Sequence, residues 1–398
     1  MFQFGLEMLM KDDHALSELR STRVGLVAHP ASVDKKLNHS VDLLSNALEG
    51  SLKCAFGPQH GMRGDKQDNM IESSDYTDPN LNIPVFSLYG EVRRPTPEMM
   101  EHFDTLVFDL QDLGCRIYTF LTTLFYCMED CAKAGKSIWV LDRPNPAGRP
   151  VEGNLLEDNF FSFVGGAKVP MRHGLTLGEA ANWYKSHKGL DLGLRVIQMN
   201  DYRPNDANKG WPDLPWINPS PNAPNVNMAR VYPGSVMVEG TTYSEGRGTT
   251  RPLEVFGAPH IEPEKFIKKI YEIMNVDAVG FQLRPCYFEP TFHKFKGELC
   301  AGLQVHADTH EYDHKKFKPY RLFAAIFKAA HQLYPDFDMW SQPPYEYEHD
   351  RTPIDLISGS TFLREWVENN GADFIDLVNY LTPDEQNWAE KTRSFLMY

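Results

Sequence analysis

Thr105-Leu-Val-Phe-Asp-Leu110 and Ser137-Ile-Trp-Val-Leu141 are short, continuous apolar runs joined by a helical stretch, Thr119–Ala134. Runs of this kind, rich in β-formers and separated by helices, belong to a largely parallel sheet covered on both faces. The same alternation extends upstream. Arg23-Val-Gly-Leu-Val-Ala-His29 reads as a buried strand, Ser40–Leu48 as helical, and Leu52–Phe56 and Pro84-Val-Phe-Ser-Leu-Tyr89 as further strands. It continues downstream in a helix near Thr176–Lys188 and a strand near Leu194–Met199. The layout is Rossmann-like or flavodoxin-like.

Gly210-Trp-Pro-Asp-Leu-Pro-Trp-Ile-Asn-Pro-Ser-Pro-Asn-Ala-Pro224 interrupts the alternation. So many prolines forbid a helix and impose an extended path. Beyond residue 262 the pattern becomes α+β. A helix starts at Glu262, strands follow around Val279–Leu283 and Ala301–His306, and a helix covers Pro319–Tyr334. The chain divides somewhere between residues 200 and 260. We place the boundary so that 1–230 form the Rossmann-like α/β domain and 231–398 a smaller α+β domain. A length of 398 residues suits two such units.

Composition removes several functions. A formal charge of −14 and the lack of a basic stripe argue against a nucleic-acid partner. No apolar run of about 18 residues predicts a membrane span. Met1–Asp13 reads as a short amphipathic helix without a secretory leader's basic and apolar regions, so a cytoplasmic location is expected. The six cysteines have neither disulfide-scaffold nor zinc spacing and read as reduced, small hydrophobes. No Gly-x-Gly-x-x-Gly follows the first strand and no phosphate loop is present, which argues against a nucleotide cofactor. No His/Asp set has metal-ligand spacing, and no Gly-x-Ser-x-Gly elbow marks a serine nucleophile.

The chemistry concentrates in polar clusters. Glu239-Gly-Thr-Thr-Tyr-Ser-Glu-Gly-Arg-Gly-Thr-Thr-Arg-Pro252 holds two carboxylates, two guanidinium groups and six hydroxyl side chains. Buried polar groups need partners, so this segment reads as the wall of a polar pocket for a hydroxyl-rich or anionic ligand. Three more clusters fall after predicted strands: Gly57-Pro-Gln-His-Gly-Met-Arg-Gly64, Asp109–Thr119 and Asp142-Arg-Pro-Asn145. Ligands of open α/β sheets bind at that edge. Cleaving a glycosidic bond requires one group to protonate the leaving oxygen and another to activate water or stabilise the cation. The available carboxylates are Asp109, Asp112, Asp142, Glu239, Glu245 and Glu254. Asp109 and Asp142 end buried strands, where desolvation raises a carboxyl pKa. Glu245, between Ser244 and Gly246, suits an exposed loop tip, and Glu239 closes an apolar strand, Ser235–Val238. His60 and His173 can serve sugar hydroxyls, and Trp211 and Trp216 can stack on a sugar face or on the neighbouring prolines.

Phe56-Gly-Pro-Gln-His-Gly-Met-Arg-Gly64, Val85–Gly90, Val107–Gly114, Leu141–Pro146, Pro219-Ser-Pro-Asn222, Tyr232-Pro-Gly234 and Ser244–Pro252, in this order, resemble the NamZ-type exo-β-N-acetylmuramidases. The resemblance implies a Rossmann-like domain, a smaller C-terminal domain and an active cleft between them. It also implies release of N-acetylmuramic acid from the non-reducing end of peptidoglycan fragments, although many relatives are exported proteins. One position departs from the pattern: the family's Pro-Glu-His-Gly is Pro58-Gln59-His60-Gly61 here. Glutamine neither gives nor takes a proton in that role. The acid–base work is therefore expected from Asp109, Asp112 or Glu245, unless the reaction differs, with Gln59 orienting a water or an acetamido group, or the protein binds the sugar without cleaving it. Gln59, His60, Arg63, Arg116, Tyr118, Asp142, Arg143, Asn222, Glu239, Arg247 and Arg251 are the expected substrate-contacting residues. The lactyl carboxylate of muramic acid calls for an arginine clamp from among these. No cofactor or metal is expected.

Overall fold

The computed structural model describes residues 1–64, 71–205 and 209–398. Its strands are β1 (Val24–Ala28), β2 (Leu52–Gly57), β3 (Tyr76–Thr77), β4 (Pro84–Ser87), β5 (Thr105–Asp109), β6 (Ser137–Leu141), β7 (Glu152–Leu155), β8 (Pro170–Arg172), β9 (Gly193–Ile197), β10 (Val255–Ala258), β11 (Gln282–Phe288) and β12 (Cys300–His306). The main sheet has the order β3-β4-β2-β1-β5-β6-β9. Its pairings are parallel except for the short β3 against β4. Taken alone, the parallel strands run 3-2-1-4-5-6 in chain order, the Rossmann arrangement, with the reversal between β1 and β5.

Alternation along each buried strand feeds two cores. Leu106 and Phe108 of β5, with Ile138 and Val140 of β6, face a core shared with the Phe120–Lys133 helix. Val107, Trp139 and Leu141 face the opposite core, built with Leu16, Leu19 and Leu44 from the helices Asp13–Arg20 and Ser40–Ala47. Continuous apolar strands are thus what a sheet covered on both faces demands.

The C-terminal part carries a small antiparallel sheet, β10-β12-β11, under the helices Pro263–Met274 and Pro319–Leu333. The hairpin of β7 and β8 packs against the long Phe374–Thr392 helix. One apolar core runs without a break from Phe108 and Phe125 to Phe256 and Phe327, so the two parts are fused. Arg116 reinforces the junction. Fully buried, it donates to the carbonyls of Asn154, Val169, Ile357 and Ser358 at 2.7–3.1 Å.

Two predicted elements differ. Ser235–Val238 is helical: Val226–Ser235 forms an α-helix that runs into a 3₁₀ turn, Val236–Gly240. Asn225 caps its start by accepting from the Met228 amide, and its burial on nearly every side produces a short apolar run that periodicity cannot assign. The strand expected near Val279–Leu283 lies further on, at Gln282–Phe288, despite Pro285. β11 is an edge strand, where a missing amide proton is tolerated.

Candidate active site

Beyond the carboxyl end of β2 lies a small cavity with a polar lining. The Rossmann-like part contributes Gln59 and His60 from the segment after β2, Ile117–Thr119 from the segment after β5, and Ser220 and Asn222 from the proline-rich stretch. The other part contributes Tyr232, Glu239, Arg247, Tyr345 and Glu346. The proline-rich stretch is fixed by His29 at the end of β1. Its Nε2 accepts from the Gln111 amide (2.8 Å), which leaves Nδ1 as the donor to the Pro219 carbonyl (3.1 Å). Burial holds the His29 pKa well below the ordinary value, consistent with this neutral tautomer.

Two carboxylates face the cavity in different settings. Glu239 accepts from Arg247 Nη2 at 2.6 Å and from the Tyr345 hydroxyl at 2.8 Å. Glu346 accepts from the Tyr89 hydroxyl at 2.7 Å and, more weakly, from the Gln59 side-chain amide at 3.4 Å. Burial, with the negative charge of Glu239 nearby, raises the Glu346 pKa against the pull of those two donors. Gln59 is itself oriented, because Thr119 Oγ1 donates to its Oε1 at 2.8 Å.

The remaining predicted residues are placed elsewhere or already engaged. Glu245 is 1% exposed, against the expectation of a loop tip. Burial opposes its charge, but Lys294 at 2.9 Å, His293 and Arg247 outweigh that and hold its pKa well below the usual carboxylate range. A carboxylate so held is a brace, poorly suited to donating a proton. Asp109 is fully buried, and both its oxygens accept from Arg143, at 2.6 and 3.0 Å. Asp112 accepts from the Gly114 amide at 2.6 Å and faces His173 at 3.6 Å. Neither aspartate lines the cavity.

Asp142 receives four hydrogen bonds, from the Thr176 and Tyr398 hydroxyls and the Gly178 and Arg143 amides. It thereby anchors the start of the Leu177–Lys188 helix, and a side chain on Gly178 would strike its carboxyl group. Burial and the neighbouring Glu179 push its pKa up to about 7. Glu254 accepts from Asn225, Asn227 and Gln304. Of the predicted arginines, Arg247 alone lines the cavity. Arg116 and Arg143 are committed to the fold, Arg63 lies over the Tyr76 ring, and Arg251, 53% exposed, reaches Glu254 at 3.5 Å. Trp211 and Trp216 pack edge to face with each other, and their indole N–H groups donate to the Leu214 and Ala223 carbonyls.

Sequence reasoning missed Glu346, Tyr345 and Tyr89. Tyr345-Glu-Tyr-Glu348 contains no Gly, Asn, Asp or Ser, so nothing announces the tight turn it makes. Tyr89 reads as the end of an apolar strand. Among the described residues no group of three or more His, Cys, Asp or Glu is placed to hold a metal ion, and no helix is long and apolar enough to cross a membrane. All six cysteines are buried and unpaired.

A Rossmann-type sheet fused to an α+β part, with a carboxylate-bearing cleft between them, defines the class of protein. Residues 24–227 match the N-terminal and residues 230–398 the C-terminal model of the exo-β-N-acetylmuramidase NamZ family. The chain belongs to that family. It is 36% identical over 400 aligned positions to the peptidoglycan β-N-acetylmuramidase NamZ of Bacillus subtilis (strain 168), covering all of this chain and 91% of that protein. Two DUF1343 family proteins of Bacteroides fragilis have similar crystal structures. One has a TM-score of 0.85 at 32% identity, the other 0.74 at 25%, each covering 100% of this chain and 99% of its own.

Proposed function

We propose that this protein hydrolyses the β-glycosidic bond of a terminal N-acetylmuramic acid residue, releasing the sugar from the non-reducing end of peptidoglycan-derived fragments. Family membership over both halves of the chain carries this reading, together with a cleft formed by both halves. The lining suits a pyranose ring. It offers amide, hydroxyl and carboxylate groups beside aromatic rings, namely Gln59, Ser220, Asn222, Glu239, Tyr118 and Tyr232. His60, Thr119, Arg247, Tyr345 and Glu346 add further polar groups.

Arg247 is the cavity's arginine for the lactyl carboxylate. It already bridges Glu239 and Glu245, so an anionic substituent joins an existing network and does not meet a free clamp. Asp109 and Asp112 support the wall behind the cavity. Glu245 holds Arg247 in place.

The test is chromophore release from a nitrophenyl β-N-acetylmuramide, with the N-acetylglucosaminide as control. Turnover of the muramide alone is the expected result. Thermal stabilisation by muramic-acid ligands without turnover of either compound would instead mark a sugar-binding protein, the reading that Gln59 favours.

A further inference from the structure

The Tyr345–Glu348 segment is built in an unusual way. Tyr345 and Glu348 exchange both main-chain hydrogen bonds, at 2.9 and 3.0 Å, which makes Glu346 and Tyr347 the two central residues of a tight hairpin turn. Both have positive φ, 45° and 67°. A two-residue turn with both central φ values positive ordinarily takes Asn-Gly or Asp-Gly, because other side chains are strained there. This chain places a glutamate and a tyrosine there instead. Strained non-glycine positions of this kind gather where function holds them.

The turn puts Glu346 at the cavity wall, only 5% exposed. Unlike Glu239 and Glu245, it forms no ion pair among the described residues. Its two oxygens are held by neutral donors, the Tyr89 hydroxyl and the Gln59 amide. Around it stand Tyr89 and Arg93 from the segment after β4, Gln59 from the segment after β2, and Glu239 from the 3₁₀ turn. Burial and Glu239 disfavour its charge, while Tyr89, Gln59 and Arg93 favour it.

We propose that Glu346 is the residue that protonates the leaving glycosidic oxygen in this chain, and that Gln59 is its positioning residue. The assignment rests on the hydrolase reading above. In the step, the Glu346 carboxyl gives its proton to the bridging oxygen as the C1–O bond breaks with its electron pair going to that oxygen. Water adds its hydroxyl to C1, and the proton that this water loses restores the acid. Thr119 fixes Gln59 so that its N–H points at Glu346. A glutamate at 59 would set a second negative charge against Glu346.

The experiment compares wild type, Glu346→Gln, Gln59→Ala and Gln59→Glu on two substrates, a nitrophenyl muramide and a muramic-acid-terminated disaccharide whose leaving sugar needs protonation. For Glu346→Gln the disaccharide rate is expected to fall about 10²–10⁴-fold, as for loss of a general acid. The nitrophenyl substrate, with its good leaving group, is expected to lose far less, and the alkaline limb of kcat/KM is expected to disappear. Gln59→Ala removes a donor to the charged form and is expected to move that limb to higher pH. Gln59→Glu is expected to move it the same way through charge repulsion. Equal losses on both substrates with an unchanged pH profile would overturn the assignment and leave Glu346 a structural residue. Full retention of activity would overturn it as well. No wild-type turnover of either substrate would overturn the hydrolase reading, and this assignment with it.

Discussion

The crevice between β1 and β5 and the cavity beyond β2 are made from the same residue types, carboxylates, arginines, histidines and hydroxyls, yet these are committed differently. In the crevice, Asp109 gives both oxygens to Arg143, His29 uses both ring nitrogens on main-chain groups, and Ser32 donates to the Asp109 carbonyl. Asp142, at the end of the adjoining strand, takes four donors. This is the strand reversal where Rossmann folds usually bind dinucleotides, and here the protein's own side chains and Pro219 occupy it. In the cavity, Glu346 has only neutral hydrogen-bond donors and forms no ion pair among the described residues. Polarity at a sheet edge therefore does not define a site. Capacity left over after the fold has been satisfied does.

Substitutions in the two regions put this contrast to the test. The largest effect is expected at Glu239. Glu239→Gln is expected to lower kcat/KM per folded molecule on the nitrophenyl muramide about 10²–10⁴-fold, with a lowered melting temperature because its buried pair with Arg247 is broken as well. Unchanged activity would remove Glu239 from the chemistry and narrow the cavity's function to Glu346.

Arg143→Met reverses the pattern. It leaves Asp109 buried without its partner, a loss of about 3–5 kcal/mol when one member of a buried pair is removed. Urea denaturation would read it, while activity per folded molecule stays near wild type. A stable variant with impaired turnover would show that the crevice belongs to the active site.

Asp142 gives a smaller, pH-dependent signal. Its pKa is about 7 in the folded protein against an ordinary 3.8, so the folded state keeps a proton that the unfolded chain releases. The stability it contributes is present below about pH 4 and lost as the pH rises through about 7. Wild type is therefore expected to lose stability relative to Asp142→Asn across that window. A constant difference would mean that the four hydrogen bonds, and not burial, set the charge of Asp142.

The smallest effect is expected at Arg251, half-exposed and outside the cavity. Arg251→Ala is expected to change stability by no more than about 0.5 kcal/mol, the ordinary range for surface positions. The KM for the muramide is expected to stay unchanged, whereas Arg247→Ala raises it. Equal KM changes in both variants would place Arg251 in the binding site.

Much of the Rossmann-like part was legible because its signal is local. A strand such as Thr105–Asp109, buried on both faces, carries a continuous apolar run, Leu106–Phe108, and its helix must follow before the next parallel strand. The Val226–Gly240 segment was not legible for a related reason, since burial on nearly every side leaves a short apolar run, Val236–Val238, that shows no helical period. At the site, Gln59, His60, Tyr118, Asn222, Glu239 and Arg247 were found from polar clusters and family motifs, and all line the cavity. Arg116 stood in an equally polar cluster, but its four carbonyl partners come from distant segments, and no local pattern distinguishes such a brace from a ligand contact.

Read alone, the sequence settled the parallel sheet and the family, because periodicity and motif order are properties of neighbouring residues. Only the tertiary structure decided which carboxylates are free to act. Glu346 reaches Gln59 across 287 positions of chain, and whether a carboxylate meets an arginine or only neutral donors depends on which segments the fold brings beside it. Asp109 and Glu346 look alike in the chain. Packing sealed the first with Arg143 and set the second, on a strained turn, against the cleft.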